Sequence, residues 1–277
     1  YKNFPKASKA IHNPSCWNFE EGRYEYDGVA WLRKKFYYSK CSPIYLSFEA
    51  VSGYKQVWVD GELLGDHYGS FTEFSFLTNE LATGMHEVVV RVDNRHDETT
   101  MPRPFVDWKI WGGIYRSVQY SSVKDVIISR MFIDVSWDGY EPTAISIRVR
   151  IVNSCKHDLK VPCSIYFEDN EIFNGNVNVE DSGGDIYLGK FNIRDVELWS
   201  PRNPKLYAVR IVCGDDDIID KLGFRKVEAA KGKILLNGQA VKMLGINRHH
   251  THQAHGFAIP ASLSKRDMDI IQNANIN

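Results

Sequence analysis

The sequence has no strong surplus of either charge. Its 277 residues include 34 Lys and Arg against 35 Asp and Glu, so the formal net charge is −1. No long run of basic residues is present, whereas proteins that bind nucleic acid or anionic membranes carry such a basic patch. We therefore expect neither nucleic acid nor a membrane as a partner, and a neutral partner fits the composition better.

Long apolar runs and a regular cysteine framework are missing as well. No stretch approaches the roughly 18 apolar residues of a membrane span, and the start YKNFPKASKA lacks the apolar region of a signal peptide. The cysteines are odd in number and show no CxxC spacing; they are Cys16, Cys41, Cys155, Cys163 and Cys213. Buried free thiols and a reducing, cytoplasmic location are the expectation, although such a start does not exclude a signal peptide that has been removed.

The composition is that of a folded globular protein. Hydrophobic residues make up 43% and charged residues 25% of the chain. A length of 277 residues suggests two domains or slightly more, at roughly 150 residues per domain. Aromatic residues reach 13%, and their ring faces either stack on sugars or fill β-sandwich cores. For any single ring, the core interpretation is favoured at roughly three in four.

Alternating apolar residues predict a first β domain between Val29 and about Tyr120. In the string IYLSFEAV, Ile44, Leu46, Phe48 and Ala50 share one face, as expected of a half-buried strand. KQVWVDGELLG alternates in the same way. Its Asp60-Gly61 pair suits the positive φ angles of a tight hairpin.

A second series of strands is predicted from about Val123 to Val227. AISIRVRIV, CSIYFED, DIYLGKF and LYAVRIV alternate in the same manner. The strand spacing and a length of about 100 residues match an immunoglobulin-like sandwich, although no Cys…Trp…Cys signature is present.

After Glu228 the pattern changes to a strand followed by a helix. KILLNGQAVKMLGINRHH is strand-like, and SLSKRDMDIIQNAN has helical spacing, with Ser262 or Ser264 as the expected cap. A new strand is expected at Ile276. This is the pattern of a first βα unit, and the remaining length cannot complete a (β/α)₈ barrel, which takes about 250 residues.

Several strings occur in an order that resembles glycoside hydrolase family 2, the β-galactosidase and β-glucuronidase group. They are YDGVAWLRKKF (26–36), VWVDGELLGDHYGSFTEFSF (57–76), DWKIWGGIYRSVQY (107–120), LWSPRNPKLY (198–207), LGFRKVE (222–228) and KILLNGQAVKMLGINRHHTHQAHG (233–256). The resemblance implies a mainly β chain in three parts. These are a jelly-roll sugar-binding domain (1–122), an immunoglobulin-like β-sandwich (123–227) and the incomplete start of a TIM barrel (228–277).

The resemblance also implies a chemistry. Retaining β-glycosidases use two carboxyl groups about 5 to 5.5 Å apart, one as acid and one as nucleophile. The family takes both Glu residues from later barrel strands, so we expect them beyond Asn277 and expect no catalytic residue and no activity in this chain alone. A β-galactoside-like carbohydrate is the expected substrate. No cofactor or metal is expected, and a homo-oligomer is compatible.

Three residues are candidate substrate contacts by this resemblance. His249 matches the histidine of the family's NRH string, which lies in the sugar pocket, and we favour this role over a structural loop at about two to one. Arg248 either contacts substrate or braces the barrel mouth through its fork of donors. Asp107 aligns with an acidic residue of a loop that reaches the active site; an ion pair with Arg103 or Arg116 is an equal alternative.

Other candidate residues stay open at this point. Trp108 and Trp111 supply either a stacking surface or core. The histidines at 249, 250, 252 and 255 are close enough in sequence for a zinc site. This interpretation is disfavoured, because no recognisable ligand framework accompanies them. Asn94 and Asp97 have no assignable substrate or cation role.

Two functions of other classes compete with a glycosidase. One is a non-catalytic carbohydrate-binding module, and the other is a scaffold built from two β-sandwiches. An isolated βα unit has no use in either, because its apolar strand edges and helix face need a partner to bury them. The sequence therefore favours part of an enzyme.

Overall fold

A computed structural model describes residues 9–100, 103, 106–230 and 232–277. The chain divides into two compact units. The first consists of Tyr1–Ser122 and Ile246–Ala274, and the second of Val123–Gly245 and Asn275–Asn277. Strands dominate both units, so the predicted mainly β fold is confirmed.

In the first unit, the described residues form nine short strands joined by turns. They are β1 (Ser15–Cys16), β2 (Val29–Tyr38), β3 (Ile44–Phe48), β4 (Tyr54–Val59), β5 (Glu62–Tyr68), β6 (Phe74–Leu77), β7 (Gly84–Asp93), β8 (Gly113–Ile114) and β9 (Val118–Ser122). A 3₁₀ turn, Trp17–Phe19, follows β1. The strands pair antiparallel in three sheets, with orders β2-β7-β4-β5, β6-β3-β9 and β1-β8.

The alternation in the sequence becomes the core of this unit. Ile44, Leu46 and Phe48 of β3 are at most 4% exposed, as predicted. The hairpin between β4 and β5 turns at Asp60 and Gly61, whose φ angles of 49° and 87° lie in the left-handed region. This turn therefore also agrees with the prediction.

The described residues of the second unit form ten strands. They are β10 (Val126–Asp138), β11 (Glu141–Asn153), β12 (Leu159–Phe167), β13 (Asn170–Val179), β14 (Gly184–Asn192), β15 (Tyr207–Cys213), β16 (Asp216–Leu222), β17 (Val227–Ala230), β18 (Lys233–Leu236) and β19 (Gln239–Val241). The sheets have the orders β10-β11-β14, β13-β12-β15-β16 and β17-β18-β19. One apolar core gathers inward residues of the first two sheets, including Ile145, Ile147, Val149 and Ile151 of β11.

The predicted first barrel strand differs from the observed structure. Residues 227–230, 233–236 and 239–241 form the antiparallel β17-β18-β19 sheet, and 242–250 have no strand assignment. Asn277 N donates to Leu244 O at 3.1 Å, and Leu244 N donates to the side-chain Oδ1 of Asn277 at 2.9 Å. Only the first is a backbone–backbone bond. A ladder needs a neighbouring strand along its length, and among the described residues no strand pairs with this segment.

The helix α1 (Ala261–Asn273) forms where the spacing predicts it. Its cap differs from the prediction, because Pro260 precedes the first turn without a side-chain cap bond and Ser262 and Ser264 lie inside the helix. Proline fixes φ near the helical value and suits a helix start without a capping side chain. No helix in the described ranges has the length and apolar character needed to cross a bilayer.

The five cysteines are all free thiols, but they are not all buried. Cys16, Cys163 and Cys213 lie in the interior, as expected. Cys41 is exposed and Cys155 is half-buried. The expectation of buried thiols is therefore wrong for Cys41, which lies beside Glu80 at 3.2 Å on the surface.

Lys55 is a fully buried cation in the first unit. Its ammonium donates hydrogen bonds to the carbonyls of Val51 (3.0 Å), Gly53 (2.7 Å) and Gly69. These three acceptors use all three ammonium protons. No described carboxylate forms an ion pair with it, so the carbonyls, together with the ring of Phe74 at 5.3 Å, offset the cost of burying the charge.

The pH dependence of stability should report this buried ammonium. Burial lowers the pKa of Lys55 to about 7 from an ordinary 10.5, so between these values the unfolded chain binds more protons than the folded one. The free energy of unfolding should therefore rise with pH from 7 to 9, by at most about 1.4 kcal/mol per pH unit. Lys55→Met should remove this rise in denaturant titrations followed by tryptophan fluorescence.

Two features make the Lys55 experiment specific. Burial raises the pKa of Cys16 and Tyr115, which weakens folding only as pH rises past their ordinary values of 9 and 10, so measurements stay below pH 9. Lys34→Met removes an exposed lysine of the same unit and should keep the wild-type slope. An unchanged slope in Lys55→Met would contradict the assignment.

Candidate functional site

A tight turn closes the loop that carries the predicted site histidine. His252 N donates to Gly256 O at 3.0 Å, and Gly256 N donates to His252 O at 2.8 Å. Gly256 has a φ of +55°, which is in the left-handed region that favours glycine. The loop from His249 to Ala258 therefore folds back on itself before α1 begins.

This turn packs directly on the core of the first unit. A Cβ placed on Gly256 would lie 2.9 Å from Cys16 Sγ, Phe19 and Trp111. The next residue, Phe257, belongs to a small buried cluster with Cys16 and Trp111. The indole Nε1 of Trp111 donates to Thr251 Oγ1 at 2.9 Å. The turn is thus held by close packing at one end and a hydrogen bond at the other.

The residues around this turn enclose a cavity of about 130 Å³. It is lined by Phe71, Trp108, Tyr115, Arg116, His249, His250, Thr251 and Phe257. The rings of Trp108 and His249 lie 5.2 Å apart, and Phe257 contacts Tyr115 and Phe71 at 5.4 and 5.5 Å. The cavity therefore combines aromatic walls with several hydrogen-bond donors, the combination found in sites for small polar ligands.

The three predicted site residues have different surroundings. His249 lines the cavity. Arg248 donates from Nε to Asp267 of α1 at 3.1 Å and pairs with it through Nη2 as well. Asp107 is exposed beside Trp108 but does not line the cavity, and within the described residues no ion pair joins it to Arg103 or Arg116.

The histidines of the loop are engaged separately. Arg248 Nη1 lies 3.2 Å from His250 Nδ1, and the rings of His252 and His255 stack at 5.0 Å. Burial and the nearby positive charges of Arg248 and Arg116 lower the pKa of His250. A neutral His250 can accept the arginine hydrogen bond through Nδ1. No metal-holding group of three His, Cys, Asp or Glu side chains occurs in the described part of the chain.

The groups beneath the cavity stay uncharged near neutral pH. Burial raises the pKa of the Cys16 thiol to about 11. Burial also raises the pKa of Tyr115, whose hydroxyl donates to the carbonyl of Ser70. Arg116 is exposed at the rim, and the described lining residues include no Asp or Glu. The cavity is therefore largely neutral and has no carboxylate of its own.

Several of the residues that line the cavity were not predicted from the sequence. Phe71, Tyr115, Thr251 and Phe257 come from separate segments and meet only through tertiary packing. No motif identifies them, although all but Phe257 lie inside strings that resemble the family. Asn94, which had no assigned role, is structural: it is buried, and its Oδ1 accepts from Gly28 N at 2.8 Å.

Family comparisons match two adjoining parts of the chain. Residues 126–225 match the model described as "Glycosyl hydrolases family 2", and residues 227–277 match "Glycosyl hydrolases family 2, TIM barrel domain". Together these segments cover more than half of the sequence. The chain belongs to glycoside hydrolase family 2.

Individual relatives extend the similarity over nearly the whole chain. It is 29% identical to a β-galactosidase of Thermoanaerobacter pseudethanolicus over 98% of this chain and 37% of that protein, and 28% identical to a β-galactosidase of Thermoanaerobacterium thermosulfurigenes over 83% of this chain and 34% of that protein. The crystal structure of a family 2 β-galacturonidase from Eisenbergiella tayi bound to galacturonate has 25% identity and a TM-score of 0.90, covering 99% of this chain and 50% of that one. The chain spans about a third of the length of these curated relatives.

The turn at Gly256 provides a test of the site's packing. Gly256→Ala should lower the free energy of unfolding by about 1–2 kcal/mol for the left-handed backbone and by about 1–3 kcal/mol more for the overpacked Cβ. Gly22→Ala is the matched control, because Gly22 has a φ of +72° in the same unit but open space around its Cβ position. Equal losses in the two variants, measured by chemical unfolding, would rule out close packing at Gly256.

Proposed function

We propose that this chain is the N-terminal part of a retaining β-glycosidase that hydrolyses O-glycosidic bonds of β-galactoside-like sugars. Its parts in this proposal are a jelly-roll domain (1–122), an immunoglobulin-like sandwich (123–227) and the start of the catalytic barrel (228–277). The observation that carries the proposal is the cavity between Trp108 and His249. Its lining combines residues from the end of the barrel-entry string with Phe71, Trp108 and Tyr115 of the same unit.

The cavity suits one ring of a sugar. Apolar C–H faces of pyranoses pack on aromatic rings, here those of Trp108 and Phe71, while hydroxyl groups exchange hydrogen bonds with polar side chains. His249 and Thr251 supply such groups on one side of the cavity. In this proposal His249 donates to a sugar hydroxyl, and Asp107 accepts a hydrogen bond at the exposed edge beside Trp108.

The acid chemistry has to come from other residues. A retaining mechanism needs one carboxylic acid and one carboxylate about 5 to 5.5 Å apart across the scissile bond. The described residues that line the cavity include no carboxyl group, and the nearby Asp267 forms an ion pair with Arg248. We therefore assign the catalytic pair to barrel segments outside residues 1–277, with no cofactor or metal in the reaction.

Exposed apolar side chains near the barrel start support this assignment. Met243, Leu244 and Ile246 are 63%, 45% and 57% exposed, and Met268 and Ile270 of α1 are 49% and 57% exposed. No residue of α1 is buried. Barrel helices cover their apolar stripe against neighbouring strands, so these side chains fit a role in a larger barrel.

A non-catalytic carbohydrate-binding module is the second candidate. The lack of a carboxylate in the cavity lining favours it, because such a site binds sugar without cleaving it. Both candidates predict sugar binding, and only the first needs the catalytic pair elsewhere. The glycosidase candidate explains why apolar residues at the barrel start are exposed, whereas a binding module does not.

The 277-residue chain alone should not hydrolyse aryl β-glycosides. We expect no release of 4-nitrophenol above the buffer rate from the β-galactoside, β-glucuronide or β-galacturonide, because the cavity lacks a carboxylate pair. Turnover that a substitution inside residues 1–277 abolishes would contradict this expectation and would place the catalytic groups within the chain.

Sugar binding should depend on His249. Saturation-transfer NMR with galactose, glucuronate and galacturonate measures this binding. His249→Ala should lower the affinity for the sugar about fivefold, which corresponds to the loss of one net hydrogen bond of about 1 kcal/mol. Trp108→Ala should also weaken it, through lost stacking. His157→Ala removes an exposed histidine of the other unit and should have no effect. If His249→Ala binds the sugar as tightly as the wild-type chain, His249 has a structural role only.

A further inference from the structure

Two of the five cysteines face each other across neighbouring strands of the second unit. Cys163 of β12 and Cys213 of β15 are direct partners in the antiparallel register. They are 2% and 0% exposed. The Sγ of Cys213 donates a hydrogen bond to the Sγ of Cys163 at 2.8 Å. The two thiols are therefore already in contact in the core of the sandwich.

The backbone pattern places this pair where strands allow the closest approach of side chains. Gly214 N donates to Pro162 O at 2.9 Å, and Glu168 N donates to Ala208 O at 2.8 Å, so hydrogen-bonded pairs fall on even-numbered residues of β12. Cys163 and Cys213 form a non-hydrogen-bonded pair, whose Cα atoms are about 4.5 Å apart in such ladders. Disulfides need about 4.4–6.8 Å between Cα atoms, and the typical spacing of such a pair falls within this range.

The other cross-strand neighbours of the two cysteines do not compete for the thiols. On its other side, Cys163 faces Gly175 of β13, which has no side chain. Cys213 faces Asp216 of β16, whose carboxylate accepts a hydrogen bond from Ile128 N at 2.6 Å. The remaining cysteines have other partners, since Cys41 contacts Glu80 and Cys155 contacts Asp125.

We propose that Cys163 and Cys213 are a redox modification site, which a low-molecular-weight disulfide converts into a cross-strand disulfide. The bond would join β12 and β15, the two central strands of the β13-β12-β15-β16 sheet. It would close the chain between residues 163 and 213 and so restrict the unfolded state. The second unit would thus gain stability when it meets an oxidising environment, independently of the proposed glycosidase function.

The reaction proceeds by two thiol–disulfide exchanges. The thiolate of one cysteine attacks the small disulfide, which forms a mixed disulfide and releases one small thiolate. The second cysteine, as thiolate, attacks the protein-bound sulfur of the mixed disulfide, forms the Sγ–Sγ bond and releases the second small thiolate. The two protons lost by the cysteines pass to the released thiolates, so two protein thiols are oxidised and one small disulfide is reduced.

Burial controls the rate of this reaction. The hydrogen bond to Cys163 and burial raise the pKa of Cys213, and the charge of Asp216 adds to this effect. The hydrogen bond from Cys213 lowers the pKa of Cys163, so Cys163 supplies the reactive thiolate. Both thiols are buried in the closed sandwich, where a small disulfide does not reach them. The exchange should therefore be slow in the closed native state and faster when the sheet opens locally.

Peptide mapping tests the proposal directly. The full chain is incubated at pH 8 with oxidised glutathione, natively and in urea below the unfolding midpoint, alkylated, and digested with trypsin without reduction. Each cysteine falls in a different tryptic peptide. We expect residues 161–190 linked to residues 211–221, and an unfolding temperature about 5–10 °C above that of the reduced chain. Dithiothreitol should reverse both changes.

Two variants separate this pair from general thiol oxidation. Cys155→Ala should keep the link and the temperature shift, whereas Cys163→Ala should lose both. If Cys163→Ala does not fold, the peptide map of the wild-type chain decides alone. Peptides 161–190 and 211–221 recovered unlinked in both incubations would overturn the proposal. Linkage of residue 163 to residue 155 as often as to residue 213 would also overturn it.

Discussion

The contact between the turn at Gly256 and the ring of Trp111 is the constraint on which the candidate site depends. Only a residue without a Cβ approaches Cys16, Phe19 and Trp111 this closely, and only glycine adopts its positive φ without strain. The hydrogen bond from Trp111 to Thr251 fixes the other end of the loop. Because Trp108 and His249 lie within three residues of these anchors, their contact follows from the packing of the anchors.

The opposite wall of the cavity depends on a second constraint, the buried ammonium of Lys55. It binds carbonyls of Gly53 and Gly69, and the residue after Gly69, Ser70, accepts the hydroxyl of Tyr115. Phe71 therefore directly follows two residues whose carbonyl groups are fixed by hydrogen bonds from Lys55 and Tyr115. A buried cation without a carboxylate costs stability compared with an apolar residue. Such a cost fits a position where loop geometry matters more than stability, because binding sites need supported walls.

Short-range patterns predicted the elements better than the site. The alternation of β3 and the turn at Asp60-Gly61 are local properties, so they could be derived from neighbouring residues alone. The strand expected before His249 did not form, because a strand depends on a partner that its own sequence does not contain. The cap expected at Ser262 or Ser264 failed for another reason, since Pro260 sets the helix start by its fixed φ.

The candidate site shows the same division between local and distant information. His249 was found because a motif contains it, whereas Phe71 and Tyr115 reach the cavity from segments more than 100 residues away in sequence. Arg248 was considered as a substrate contact or as a brace, and it pairs with Asp267. This partner had no signal in the sequence, because a helical carboxylate is usually a solvated surface group. Tertiary proximity of this kind follows from the whole core and cannot be derived from one segment.

The charge distribution around the cavity separates recognition from chemistry. Cys16 and Tyr115 remain protonated near neutral pH, and Asp267 neutralises Arg248. Glycoside cleavage passes through an oxocarbenium-like state with positive charge at the anomeric carbon. A cavity whose described lining has no carboxylate, with Arg116 at its rim, does nothing to stabilise that charge. In the proposed glycosidase the carboxylates would therefore come from another part of the protein.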